Sequence, residues 1–163
     1  MTPAVELAKK AKIDFNILEY HHDTNNSAYG QEAAMALGLD PAQVFKTLLV
    51  SDNTSGIPTA CAMVPVNHQL DLKAVAKHLG LKKIQMANPV CAQKSTGYLV
   101  GGISPLAQKK LLPTLIDTSA QQFHTVYVSA GRRGLELALA PKDLASLCRG
   151  RFVNIKQIVD THS

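Results

Sequence analysis

The chain has 163 residues, 46% of them hydrophobic and 18% charged, a balance that excludes a disordered chain and gives one domain enough apolar material for a core. Its net charge of +5 and pI near 9.2 suit a polyanionic partner such as RNA. With aromatics at 5% and no Trp, a base-stacking surface is not apparent.

Thr2-Pro3 opens a first helix, with Pro3 at the first helical position where its missing N–H costs little. Val5, Leu7, Ala8 and Ala11 give that helix an apolar side. Phe15 to Tyr20 reads as a strand, His22 to Ser27 as a loop, and Gln31 to Leu37 as a helix closed by Gly38. Asp40-Pro41 starts a short helical turn ahead of a strand over Val44 to Val50. Asn53 to Gly56 forms a tight turn, and Ile57 to Val66 returns as the second strand of a hairpin. Asp71 caps Leu72 to Leu79, which ends at Gly80. Lys83 to Met86 is a short strand, and Asn88-Pro89 begins a helix that stops near Gly97. Tyr98 to Gly102 and Thr114 to Asp117 are expected as strands flanking a glycine turn. Thr125 to Ser129 and Gly134 to Ala140 form the last hairpin, joined through Gly131-Arg132-Arg133. Pro141 starts a helix to Cys148, and Phe152 to Ile155 is the final strand. Hairpin-joined strands with helices inserted between them predict a mixed α+β fold with a largely antiparallel sheet, not a doubly wound one. No internal linker divides the chain. The domain is expected over residues 1–158, with 159–163 as a polar tail.

Common catalytic motifs are absent: there is no GxxxxGK[ST] phosphate loop, no HExxH and no GxSxG elbow. Cys61, Cys91 and Cys148 are odd in number, widely spaced and without a CxxC pair, which argues against a disulfide framework and a zinc site. His21 and His22 would point to opposite faces of a strand and cannot jointly grip a metal. No metal or cofactor is expected. No apolar run approaches a membrane span and the first twenty residues lack a signal-peptide core, so the expected address is the cytoplasm and no membrane partner is expected.

Three segments carry unusual chemistry for their local structure. Lys46 sits mid-strand in Val44-Phe45-Lys46-Thr47-Leu48-Leu49-Val50, on the face of Val44, Leu48 and Val50. An ammonium there either snorkels to water along its apolar stem or works on a ligand. Gly101-Gly102-Ile103-Ser104-Pro105-Leu106 is either a plain turn or a place where backbone N–H groups approach a ligand closely. Amide donors of that kind can hold a developing oxyanion. In Ser129-Ala130-Gly131-Arg132-Arg133-Gly134-Leu135-Glu136-Leu137, the alternation of Leu135, Leu137 and Leu139 puts Glu136 on the opposite face. Its basic tip is either solvated or in contact with phosphate.

Together these segments resemble a known family. Val44 to Val50, Gln69-Leu70-Asp71-Leu72-Lys73, Ser95-Thr96-Gly97-Tyr98-Leu99-Val100-Gly101-Gly102-Ile103-Ser104-Pro105-Leu106 and Gly131 to Leu137 are similar to bacterial Cys-tRNA(Pro) deacylases of the YbaK/EbsC type. That family is related to the editing insertion domain of prolyl-tRNA synthetases, and the resemblance runs from the first residues to about Ile155. It implies a barrel-like mixed sheet flanked by short helices, and a trans-editing hydrolase for tRNA(Pro) mischarged with cysteine. Size discriminates such near-isosteric substrates poorly, so a second site must clear the error.

The implied mechanism uses no protein nucleophile: the substrate's own thiol attacks its ester carbonyl and leaves as a cyclic thiolactone. The resemblance makes Lys46 the residue on which activity depends most, with Gly101 and Gly102 at the oxyanion. Tyr20, Tyr29, Thr47, Ile103, Ser129 and Glu136 then shape or orient the substrate, and Lys109, Lys110, Arg132 and Arg133 are candidate tRNA phosphate contacts. The chain departs from the family pattern at Tyr29 and Glu136, where close relatives often carry Phe and Asp, and at Ala107, where Gly is common. Prolyl-tRNA synthetase is a further candidate partner, and a monomer is the expected state. A non-catalytic module for aminoacyl-tRNA ends or the synthetase, and a deacylase preferring Ala-tRNA(Pro), are the alternative readings.

Overall fold

Capping signals set most of the helix ends. In the computed structural model, which describes residues 1–23, 25 and 28–158, the Thr2 hydroxyl accepts the Val5 N–H at the start of helix α1 (Pro3–Ala11). The rest of the expected 22–27 loop and the 159–163 tail lie outside the described residues. Helix α2 (Tyr29–Leu37) ends on left-handed Gly38 and α3 (Leu72–Leu79) runs from the Asp71 cap to Gly80. Helix α4 (Pro89–Thr96) starts from the Asn88 side chain, and α5 (Pro141–Cys148) begins, as expected, at its proline. Among the described residues no helix is long and apolar enough to cross a membrane.

The strands are β1 (Phe15–Glu19), β2 (Phe45–Ser51), β3 (Ala60–Pro65), β4 (Gln85–Met86), β5 (Thr114–Asp117), β6 (Val126–Ser129), β7 (Leu135–Leu139) and β8 (Gly150–Val153). They form one sheet in the order β1-β7-β6 and another in the order β4-β2-β3-β5-β8. Pairing is antiparallel except at β3–β5 and β5–β8. This is the mixed, largely antiparallel arrangement read from the hairpins. The barrel is not closed: among the described residues the two sheets pack over a shared core but are paired through a single β-bridge, Val44 to Tyr127.

Side chains of the five-stranded sheet feed two cores by strand alternation. Phe45, Met63 and Ile116 join Val126, Val128, Leu135, Leu137 and Leu139 of the other sheet, with α1 and α5 closing that core. Val50, Ala62, Val64 and Leu115 point the other way, onto Val75 and Ala76 of α3. Asp117, buried at the end of β5, fixes the parallel edge by accepting the Ile155 and Lys156 N–H groups.

Expected starts move at α2 (Tyr29, not Gln31), β3 (Ala60, not Ile57) and β4 (Gln85, not Lys83), and two further expectations fail. The final strand starts at Gly150, because residues 114–117 pair with 150–153 in register. Tyr98 to Gly102 is not a strand. Gly101 has φ +93°, the Gly102 N–H donates to the Leu99 carbonyl, and Val100 N–H is taken by the Gln93 side chain. A turn therefore replaces the extended backbone there, pinned by a hydrogen bond from the buried Tyr98 hydroxyl to the Leu106 carbonyl. Past it, Ala107 has φ +58°, the left-handed region that favours the glycine expected at this position.

Candidate active site

A cavity of about 450 Å³ opens where the two sheets part. Its floor is the outer edge of β2, and Ser129 of β6 and Glu136 of β7 face it from the other sheet. These two sit directly across from one another in the β6–β7 ladder, so their side chains share a face. Helix α2 contributes Tyr29, Gly30 and Gln31, and the loop after α4 contributes Val100, Gly101 and Ile103. A Cβ on Gly30 would lie 2.4 Å from Val66 Cγ1, so α2 rests directly on the sheet beside Lys46.

Lys46 lines this cavity from β2, paired with Val64. It is half-buried, forms no ion pair among the described residues, and has its pKa lowered because burial disfavours the ammonium. Glu136 is 6% exposed, and burial pushes its carboxyl up to about 8, so the group is mostly protonated at neutral pH. Tyr20 stands at the same end. Its backbone N–H donates to the Gly134 carbonyl, and its hydroxyl is pushed above the ordinary tyrosine value, mainly by burial. Ser129 Oγ accepts the Gly131 N–H at 3.2 Å, and the Thr47 hydroxyl is buried without a hydrogen-bond partner.

The glycine turn and the arginine hairpin meet. The Arg133 guanidinium stacks over Tyr29 at 4.2 Å from the ring centre. A Cβ on Gly101 would come within 2.8 Å of Arg133 Cδ and 3.3 Å of Tyr29 Cδ1, and one on Gly102 within 2.6 Å of Arg132 Cα. Both glycines thus let the hairpin tip close on the rim. The structure brings Tyr20, Tyr29, Lys46, Thr47, Gly101, Ile103, Ser129 and Glu136 to one cavity. Gly102 is not on its lining, and its N–H is already spent on Leu99, so it offers no donor to a ligand. Lys109, Lys110 and Arg132 are exposed outside the cavity.

Sequence reasoning named Arg133 as a phosphate contact but not its stacking on Tyr29, and it missed the apolar rim of Met86, Pro89 and Val100 and buried Glu32. The Glu32 carboxylate accepts the Asp23 N–H at 2.8 Å and acts on the Tyr20 hydroxyl. The Tyr29-Gly30 pair at a helix start was the available signal for the α2 wall. No group of three or more His, Cys, Asp or Glu side chains among the described residues could hold a metal ion.

The aminoacyl-tRNA editing domain family matches residues 24–147. The chain is 35% identical over 154 residues to an Enterococcus faecalis protein provisionally named Cys-tRNA(Pro)/Cys-tRNA(Cys) deacylase EbsC, covering 94% of this chain and 92% of that one. It is 22% identical over 155 residues to an Escherichia coli protein named multifunctional Ser/Thr-tRNA deacylase ProXp-y, covering 94% and 90%. Among solved structures, one provisionally described as a trans-editing enzyme for prolyl tRNA synthetase superposes with a TM-score of 0.81 at 20% identity, covering 96% of this chain and 99% of that one. Another, of the hypothetical protein APE2540, gives 0.83 at 23% identity, covering 96% and 100%.

Proposed function

This chain belongs to the aminoacyl-tRNA editing domain family, and from that premise we propose that it is a trans-editing deacylase that clears cysteine from mischarged tRNA(Pro). One observation carries the reading: a lysine with no ion pair, a left-handed glycine and two polar strand residues converge on one cavity whose lining, among the described residues, includes no histidine or cysteine. Among the described residues the Ser129 hydroxyl accepts the Gly131 N–H and donates to no base, neither to Glu136 opposite it nor to Lys46, so nothing is in place to take its proton. The attacking group then comes from the substrate. Its thiol sulfur bonds to the ester carbonyl carbon, the carbon–oxygen bond to the ribose breaks, and the thiol proton ends on the ribose oxygen. Free tRNA and a four-membered thiolactone result, and water later opens the ring to cysteine.

Holding the aminoacyl group in reactive geometry supplies much of the rate for such a unimolecular step. The Lys46 ammonium neutralises charge growing on the departing ribose oxygen or holds the neighbouring phosphate. Gly101 carries no hydrogen bond on its N–H among the described residues, and it faces the carbonyl oxygen. Tyr20, Tyr29, Ile103, Ser129 and Glu136 enclose the aminoacyl group. The exposed Lys109, Lys110 and Arg132 meet tRNA phosphates, with Arg133 at the rim. The domain spans residues 1–158 and acts as a monomer, and choice of tRNA(Pro) comes from a complex with prolyl-tRNA synthetase.

The Escherichia coli relative named for Ser and Thr favours a second reading, in which serine is removed too. Cysteine, serine and threonine share a β-heteroatom that alanine lacks. The test is deacylation of matched Cys-, Ser- and Ala-tRNA(Pro). We expect fast release of cysteine with a trappable thiolactone, no release of alanine, and loss of turnover in Lys46→Ala with an unchanged melting temperature. Rapid release of alanine would overturn the thiol route, and absence of all turnover would leave a binding module.

A further inference from the structure

The wall of the cavity that runs along β2 is a strand edge. β3 pairs with residues 45–50 on one side, while on the other β4 reaches only Val50 and Ser51 and the bridge to Tyr127 stops at Val44. No strand pairs with the stretch between, among the described residues. Alternation fixes which peptide groups look into that gap. The Val66 N–H donates to the Val44 carbonyl and the Thr59 N–H to the Val50 carbonyl, so even-numbered residues of this strand turn their N–H and C=O toward β3. The Ala87 N–H donates to the Leu49 carbonyl on the far side, so odd-numbered residues turn theirs outward. The N–H and C=O of Thr47 therefore point together into the cavity.

We propose that the aminoacyl ester docks on Thr47 as a one-residue added strand, its α-ammonium donating to the Thr47 carbonyl and its ester carbonyl accepting the Thr47 N–H. This inference rests on the deacylase reading and supplies the donor that Gly102, already bonded to Leu99, cannot give. The chemistry matches in kind and spacing. An aminoacyl group carries one donor and one acceptor on adjacent carbons, as a strand residue does, and an edge strand exchanges both with a residue set opposite it. Residues so paired put their side chains on the same face. The substrate's β-substituent thus lies on the Thr47 side-chain face, where the buried Thr47 hydroxyl lacks a partner. Recognition through main-chain groups is blind to the amino acid, so Thr47 peptide contacts set rate and the side-chain walls set selectivity. As sulfur attacks, charge grows on the carbonyl oxygen that the Thr47 N–H already holds.

Proline isolates this N–H. It is tolerated where a strand's N–H faces away from its ladder, so Thr47→Pro keeps the pairing with β3 and deletes the donor. Thr47→Val keeps the donor and removes the hydroxyl, and serves as the reference. The expected result is a folded Thr47→Pro protein whose kcat on Cys-tRNA(Pro) lies about 100- to 1,000-fold below that of Thr47→Val. If proline unfolds the sheet, an α-hydroxy acid at position 47, which turns that one amide into an ester, takes its place. Equal kcat in a folded Thr47→Pro or ester variant and in Thr47→Val overturns the proposal. Binding is read separately by titrating the ¹⁵N-labelled wild type with 3′-(L-cysteinylamino)-3′-deoxyadenosine, a non-hydrolysable amide. The Thr47 amide proton should move downfield, and an unmoved signal while Lys46 and Gly101 shift overturns the docking mode. A protein that deacylates nothing yet shows the Thr47 shift refutes the enzymatic reading and leaves the docking intact.

Discussion

Replacing Glu136 by Gln isolates the cost of a buried carboxyl facing an apolar cavity. In the folded protein the group titrates near 8 against an ordinary 4.5, because its anion is desolvated with no cation paired to it. The sign follows from proton binding. Below pH 4.5 the carboxyl is protonated folded and unfolded, so it does not oppose folding. As pH rises toward 8 the unfolded chain ionises while the folded one holds its proton, and stability falls by up to about 1.4 kcal/mol per pH unit. At pH 7 the accumulated loss is roughly 3 kcal/mol. Glutamine keeps the shape and polarity without the titration. Glu136→Gln should thus match the wild type at pH 4.5 and exceed it by about 3 kcal/mol at pH 7, about 6–12 °C in Tm for a chain of this size. Urea denaturation of both proteins at pH 4.5, 5.5, 7 and 8 measures the difference, and other titrating groups cancel between them. A gap that does not widen with pH would refute the assignment of a neutral carboxyl to this wall.

Three further outcomes follow from neighbouring positions. Lys46→Arg keeps its charge at every working pH, so the ratio of wild-type to Lys46→Arg kcat/KM should fall as pH rises through the lowered Lys46 pKa, with substrate ionisation cancelling; a flat ratio from pH 7 to 10 removes the cation from the rate. Ala107→Gly relieves a left-handed residue at φ +58° and should raise stability by about 1 kcal/mol in urea, with kcat unchanged because Ala107 is exposed outside the cavity. Gly101→Ala places a methyl at φ +93° against the Arg133–Tyr29 stack; it should cost about 1–2 kcal/mol of stability and lower kcat, measured together by urea denaturation and single-turnover deacylation.

Local chemistry made most of the fold legible. Caps at Thr2, Asp71 and Asn88, and prolines at 3, 89 and 141, mark helix starts because a cap side chain accepts an unpaired N–H two or three residues on and a proline has no N–H to leave unpaired. The strand over 98–102 failed because Leu99 and Val100 read as apolar strand residues, yet they are 74% and 39% exposed, on a turn held by the distant Gln93 and Leu106. Nothing within five residues of sequence reports such contacts. Lys46 stood out because it breaks an apolar strand face, the kind of local violation that singles out a candidate site residue, whereas Glu136 obeys the β7 alternation and was picked out only by the resemblance of its segment.

What no residue pattern could report is the edge of β2. Whether a strand's outer peptide groups are paired depends on how far its neighbours extend, here on β4 stopping at Val50 and the second sheet diverging after Val44. Thr47 entered the candidate site through the family resemblance; by residue type it is only a β-branched residue in a strand. In the proposed docking mode its role comes from the gap beside it. The same divergence explains why the cavity needs no loop insertion or cofactor cradle to exist: two sheets packed on one core but paired through one bridge leave a wedge beside it, with side chains on its walls and amides on its floor. On the proposed thiol route a substrate carrying its own nucleophile needs little more than that, because the wedge would only hold the ester still, keep charge near the leaving oxygen and the carbonyl, and leave the bond-making to the bound thiol.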